Sequence, residues 1–501
     1  MWADKVQPYP VGTTASAAKT SPGPALVAPM ASLWSKLRSL DVYRDTAVTL
    51  VLMLYQASLS AFFAFAATFV LSLGLLVSGQ SVEKQSSAVF IAGISGTSAV
   101  FHLLAVFAAF SGLLARHRWR QRPEQPMPPW FWPWRLLRRS AWFTVTTVLL
   151  IHAFAYLVSI GPKALHPFQL HFYGAICLSS FNTAVVDVCT RELYESETVN
   201  GARHASSSTS TSTSNSTLSL RSRDMKQSFW RRVGRAYVRN VGMIVALSAA
   251  AAYIQVASRV VIKNDWELVA FSLGSLAFRM LILKASQRLT LHHGKVHERT
   301  IYLSTAVPTV LIDTQVRFIQ LRVQDRVSIN GLVAVMAVEP ALRLTRCALV
   351  ARRLRRLRNR KSQSANRVAV TGVTQQVDRV LRFAAAEVHA DMCSEYIAMA
   401  CSASIFYFFH GHPKFMWRES PRDDDTVTVS AARSTPRYTR VSVFLFQVGL
   451  EILIDCVCSV WELLLDIPLR VAASVKSHST ILFVACAVAN VSVCCSLYAA
   501  H

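Results

Sequence analysis

The chain has 501 residues, of which 52% are hydrophobic and only 16% charged, and its formal net charge is +25. So apolar a composition excludes an ordinary soluble protein of one to three domains. The arginines alternate with apolar runs, a pattern imposed by membrane topology and contrary to nucleic-acid binding, so the expected fold is an all-α polytopic integral membrane helical bundle.

Residues 1–45 are rich in Ala, Pro, Ser and Thr and lack an apolar core behind a basic start. They read as a disordered cytosolic tail, not a cleavable signal peptide. Residues 46–78 contain no charged side chain. A helix of that length measures about 50 Å, against roughly 30 Å of hydrocarbon, so it spans the bilayer and serves as an uncleaved signal anchor. Spans at 87–115, 140–160 and 168–189 complete a first group of four within 46–190. Ala92, Gly93 and Gly96 give the second of these a close-packing face. Between the second and third, Trp130, Phe131, Trp132 and Trp134 stand among prolines and arginines, which suits an interfacial anchor. His102 and His152 are expected as hydrogen-bonded packing residues.

A basic cytosolic loop occupies 191–239. Its 206–219 stretch is almost pure Ser and Thr, too polar to pack, and reads as a flexible linker within reach of kinases. The Asn215-Ser216-Thr217 sequon there is a chance match, because a cytosolic loop never meets the glycosylation machinery. Middle spans at 240–258, 266–283, 301–321 and 329–350 lie mostly within 240–345. An Arg-rich cytosolic segment fills 346–382, and 383–501 holds acidic and apolar helices, with spans at 394–411, 443–467 and 479–500. The total is ten or eleven spans, the number turning on 329–350 and 443–467.

Lys and Arg accumulate in cytosolic connections. The second, fourth and sixth connections are basic: Arg116 to Arg139, Arg191 to Arg239, and Lys284 to Arg299 each include four or more Lys and Arg residues. The odd connections are short and nearly bare, which places the N-terminus in the cytosol. The ten cysteines fall mostly in apolar segments and form no metal-type motif, so they read as reduced packing residues.

Charges inside the apolar segments form the sharpest pattern. Within 447–470, Glu451, Asp455, Glu462 and Asp466 share one helical face, while Phe446, Leu453, Val457, Val460 and Leu464 cover the other. Four carboxylates cost about 10 kcal/mol on the insertion scale, while the surrounding apolar residues return at most about 6 kcal/mol. This helix therefore needs partners, or must lie flat on the surface. Glu387, Asp391 and Glu395 form a second acidic row just before the apolar stretch 396–409, with His389 on the opposite face. Candidate partner arginines are Arg279, Arg317, Arg346, Arg353 and Arg360, with Arg352, Arg355, Arg356 and Arg358 nearby. Both rows read either as a cation or proton path or as structural ion pairs, with ion pairing favoured.

The span at 301–321 carries Pro308, expected to kink it, and a candidate intramembrane pair, Asp313 and Arg317, at the i, i+4 spacing. Asp187 and Arg191 have the same spacing at the cytosolic end of the fourth span. His293 and His297 lack a third ligand, and Asp423, Asp424 and Asp425 lie among arginines as a solvated charge run. No metal, cofactor or catalytic constellation is assigned, and the chain is not read as an enzyme.

Residues 307–318 and the Ser394-Glu-Tyr-Ile397 phrase resemble a group of uncharacterised multi-pass membrane proteins of oomycetes. That resemblance implies a lineage-specific membrane protein and no particular activity. The expected function is a non-catalytic membrane scaffold or receptor, with Arg352, Arg353, Arg355 and Arg356 meeting anionic lipid. The alternative is a cation- or proton-coupled solute transporter that uses the intramembrane carboxylates.

Overall fold

The computed structural model describes residues 40–73, 79–80, 84–115, 117–122, 124, 128, 130–202, 229–257, 264–292, 298–323, 329–363, 367–409, 412, 414–415, 437–464 and 476–498. They form α1 (Leu40–Ser72), α2 (Ser87–Leu114), α3 (Phe131–Ile160), α4 (Leu170–Glu197), α5 (Phe229–Ala257), α6 (Asp265–His292), α7 (Glu298–Val323), α8 (Ile329–Gln363), α9 (Arg367–Phe409), α10 (Arg437–Leu464) and α11 (Lys476–Tyr498). One helix answers to each apolar segment expected from sequence. Seven of them, α1, α2, α3, α4, α6, α9 and α11, are long and apolar enough to cross a membrane. The halves of α5, Phe229–Gly242 and Ile244–Ala257, meet at a 44° bend and together make an eighth. In α7, α8 and α10 the apolar runs are interrupted by Asp313, Arg317, Arg343, Arg346, Glu451, Asp455 and Glu462.

The apolar span of α9 is Ala384–Phe409, longer than the expected 394–411, so it takes in Asp391 and Glu395. The small buried side chains of Ala384, Ala385, Ala386 and Ala390, with Met392 and Cys393, make this extension continuous with the core. In α7 the helix runs through Pro308.

Burial sorts centre from periphery. The spans of α9 and α11 are each 72% buried, against 17% for α3. Ile397, Cys401, Ile405 and Phe409 of α9 pack in one cluster with Phe483, Ala487, Val491 and Cys494 of α11. On α3, Trp142, Leu149 and Leu157 are exposed, as befits side chains whose solvent is lipid. Helices α2, α3 and α4 approach closely through small residues. A Cβ on Gly96 would stand 3.0 Å from His152 Nδ1, and one on Gly174 would stand 2.3 Å from the Phe154 ring. His152 Nδ1 also lies 2.9 Å from the Ala92 carbonyl oxygen, so the small-residue face and the packing histidine expected from sequence meet each other.

Contacts at the helix ends give their relative directions. Arg135, near the start of α3, pairs with Glu197 at the end of α4. Gln169, at the start of α4, donates to the Leu497 carbonyl at the end of α11 and accepts from Gln255 at the end of α5. Phe90, at the start of α2, packs against the rings of His412 and Phe415 beyond the end of α9, edge-to-face in the case of Phe415. Helices α4 and α5 are thus antiparallel, as are α4 and α11, α3 and α4, and α2 and α9. Trp119, just beyond α2, bridges to Thr198 at the end of α4, so α2 and α4 start at one end of the bundle, and the ends of α9 and α11 lie there too.

Candidate functional site

The charges that interrupt α7, α8 and α10 converge with those of α6 and α9 in one buried layer. Arg279 of α6 donates to Asp313 of α7 at 2.8 Å and to Asp391 of α9, and it lies 3.5 Å from Glu395. Arg346 of α8 reaches the other Asp391 oxygen at 3.0 Å. Arg317 of α7 donates to Glu451 of α10 at 3.0 Å. Arg343 of α8 donates to Asp455 of α10 and, through Nε at 2.8 Å and Nη2 at 3.2 Å, to both oxygens of Glu462. Four guanidiniums thereby tie five helices together. Arg279, Arg317 and Arg343 are buried, as are Asp391, Glu395, Glu451, Asp455 and Glu462. A guanidinium's planar fork of N–H groups donates to two carboxylates at once, which lets so few arginines serve so many partners.

Helix α10 is built inside out. Glu451, Asp455, Ser459 and Glu462 are buried, while Leu445, Phe446, Leu453, Val457 and Trp461 are exposed. In water this face assignment would be reversed. Around Asp455, one oxygen is held by Arg343, and the other, Oδ2, is buried on the same helical face as the Ser459 hydroxyl, with the Tyr396 hydroxyl close enough to interact with the carboxylate.

Of the site residues singled out from sequence, Asp313, Arg317, Asp391, Glu395, Glu451, Asp455 and Glu462 all enter this layer. Glu387 is half-buried, and Asp466 lies outside the described residues. Asp313 and Arg317, anticipated as one pair, are engaged with Arg279 and Glu451 respectively. His389 is turned away from the carboxylates, its ring 5.7 Å from Phe483. His293, His297, the Ser/Thr stretch 206–219 and Asp423 to Asp425 lie outside the described residues. Arg343 was not among the candidates, because it is out of register with the Arg346, Arg353, Arg360 repeat. Its signal is a different row: Arg343, Cys347, Ala351 and Leu354 follow helical spacing and are all buried.

Beyond that row, α8 presents Arg352, Arg353, Arg355 and Arg356 outward, with Ala351, Leu354 and Leu357 buried beneath them. A second charged group joins α3, α4 and α5. Glu197 meets Arg135 and Arg139, each at 3.3 Å, Glu192 meets Arg232 at 2.8 Å, and Asp187 meets both Arg191 and Arg239. The Asp187 and Arg191 pair stands as its spacing predicts. Of the aromatic segment, Trp130 and Trp134 are exposed, while Trp132 is buried and Phe131 packs on Trp119. All ten cysteines are free thiols, eight of them buried.

Comparison with protein-family models, with curated proteins and with solved structures gives no match. The site's own geometry carries the functional argument.

Proposed function

We propose that the protein is a non-catalytic membrane scaffold or receptor with a cytosolic N-terminus, whose eleven helices all cross the bilayer and whose buried charge layer is a structural lock. The observation that carries this reading is the pairing itself, in which each of four arginines is bound by carboxylates from other helices. Inside a bilayer an unpaired charge is far more costly than a paired one, so this layer specifies which helices adjoin. The exposed arginines of α8, backed by buried apolar residues, supply a basic amphipathic surface for anionic lipid. Charge reversal at Arg353 and Arg356 should therefore weaken flotation with vesicles rich in phosphatidylserine, and added salt should weaken the native interaction. Binding indifferent to both changes would remove the lipid-recruiting role.

A second reading, cation- or proton-coupled transport, rests on Asp455. It shares one arginine with Glu462, so two fully buried carboxylates stand against a single guanidinium. A proton or a monovalent cation would neutralise that site. Flux in proteoliposomes that disappears in Asp455→Asn, with thermal stability retained, would replace the scaffold with a transporter. Absence of flux from the native protein leaves the lock.

A further inference from the structure

A groove between the C-terminal turns of α4 and the N-terminal turns of α5 belongs to neither the buried charge layer nor the basic end of α8. Its volume is about 900 Å³, and Arg191, Arg231, Arg232, Arg235 and Arg239 line it with a single carboxylate, Glu195. Asp187 and Glu192 neutralise part of that charge through Arg191, Arg239 and Arg232. Among the described residues the groove gathers five arginines against three carboxylates, Asp187, Glu192 and Glu195. Volume and charge together suit a phosphate-bearing group, which guanidiniums bind in a planar, two-pronged manner.

The neighbouring face of α5 says where such a group would come from. Gly234 and Val238 line the groove. At helical spacing, Trp230 precedes them and Val241 follows, with Val245 just past the bend of α5, and Trp230, Val238, Val241 and Val245 are exposed large apolar side chains. A basic mouth therefore opens onto a lipid-facing apolar strip, with an indole at its rim. A free phosphate has no use for that strip, whereas a phospholipid would lay its acyl chains along it. We propose that this groove binds the headgroup of an anionic phospholipid, with the phosphate among Arg231, Arg232 and Arg235 and the chains against Val238, Val241 and Val245. The lock described above is not required for this, and only the choice of cytosolic leaflet rests on the proposed orientation.

Gly234 provides a test that leaves every charge in place. A Cβ built there meets nothing within 4 Å and Gly234 lines the groove, so Gly234→Phe adds bulk at the groove wall with better helix propensity. The detergent-purified full chain is titrated with dioctanoyl phosphatidic acid, dioctanoyl phosphatidylcholine and inorganic phosphate, with thermal unfolding as the readout. The expected result is stabilisation by phosphatidic acid alone, with apparent affinity falling about tenfold or more in Gly234→Phe and in Arg231→Gln/Arg235→Gln. Equal stabilisation by inorganic phosphate would overturn the lipid as the source. Stabilisation by phosphatidic acid that survives both variants, or none in the native protein, would overturn the site.

Discussion

At the scale of single residues, Arg343 bears the greatest load, because Asp455 and Glu462 are both fully buried and both depend on it. Removing one member of such a group strands the others, at about 3–5 kcal/mol, whereas replacing all members by apolar or neutral isosteres is close to neutral. Arg343→Met is therefore expected to lower the unfolding temperature sharply, and Arg343→Met/Asp455→Asn/Glu462→Gln to recover most of the loss. A triple variant no more stable than the single one would show that the pairing is not what holds α8 to α10. His412 makes a different prediction. It sits beyond the end of α9 against Phe90, Phe409 and Phe415, and burial pushes its imidazole down to about 4. The unfolded chain thus binds the proton more readily, so the contribution of this residue to stability declines as pH falls from about 6.5 toward 4. His412→Phe keeps a ring in place and removes the titration. Across that range the native protein should lose stability relative to the variant, and parallel pH profiles would contradict the assignment.

At the scale of elements, what the sequence made legible divides along physical lines. Every apolar segment became a helix, because a run of about 20 apolar residues has few other stable outcomes. The acidic face of α10 was legible too, since a period of 3.6 residues brings Glu451, Asp455 and Glu462 together whatever surrounds them. Their partners were not. Arg343 and Arg346 lie one helical turn apart, and only packing decides that one meets α10 and the other α9. The same limit applies to Asp313 and Arg317, where a permissible pair within one helix competes with partners from α6 and α10 that spacing cannot reveal. Nitroxide labels at Phe446→Cys, Leu453→Cys and Val457→Cys in reconstituted protein should be quenched by dissolved oxygen in preference to a water-soluble nickel chelate. The reverse preference would mean that this face meets water and that α10 lies outside the membrane.

At the scale of the whole molecule, connectivity constrains what hydropathy leaves open. The end of α9 meets the start of α2, and the end of α11 meets the start of α4. The starts of α2 and α4 share one end of the bundle, because the chain just beyond α2 bridges to the end of α4 through Trp119 and Thr198. Having left α9 at that end, the chain must reach the opposite end before α11 begins. Helix α10 is the helix placed to make the return, at 28 residues and about 42 Å. In the proposed eleven-span arrangement its acidic residues both lower its hydropathy and, through Arg317 and Arg343, hold it in place. The consequence is a sidedness that a membrane-impermeant maleimide reads directly. Single cysteines placed in 416–436 and in 465–475, in a background whose native thiols are replaced, should label from opposite faces of sealed vesicles. Labelling of both from one face would mean that α10 enters and leaves on the same side, and the eleven-span arrangement would give way to one in which α10 is re-entrant.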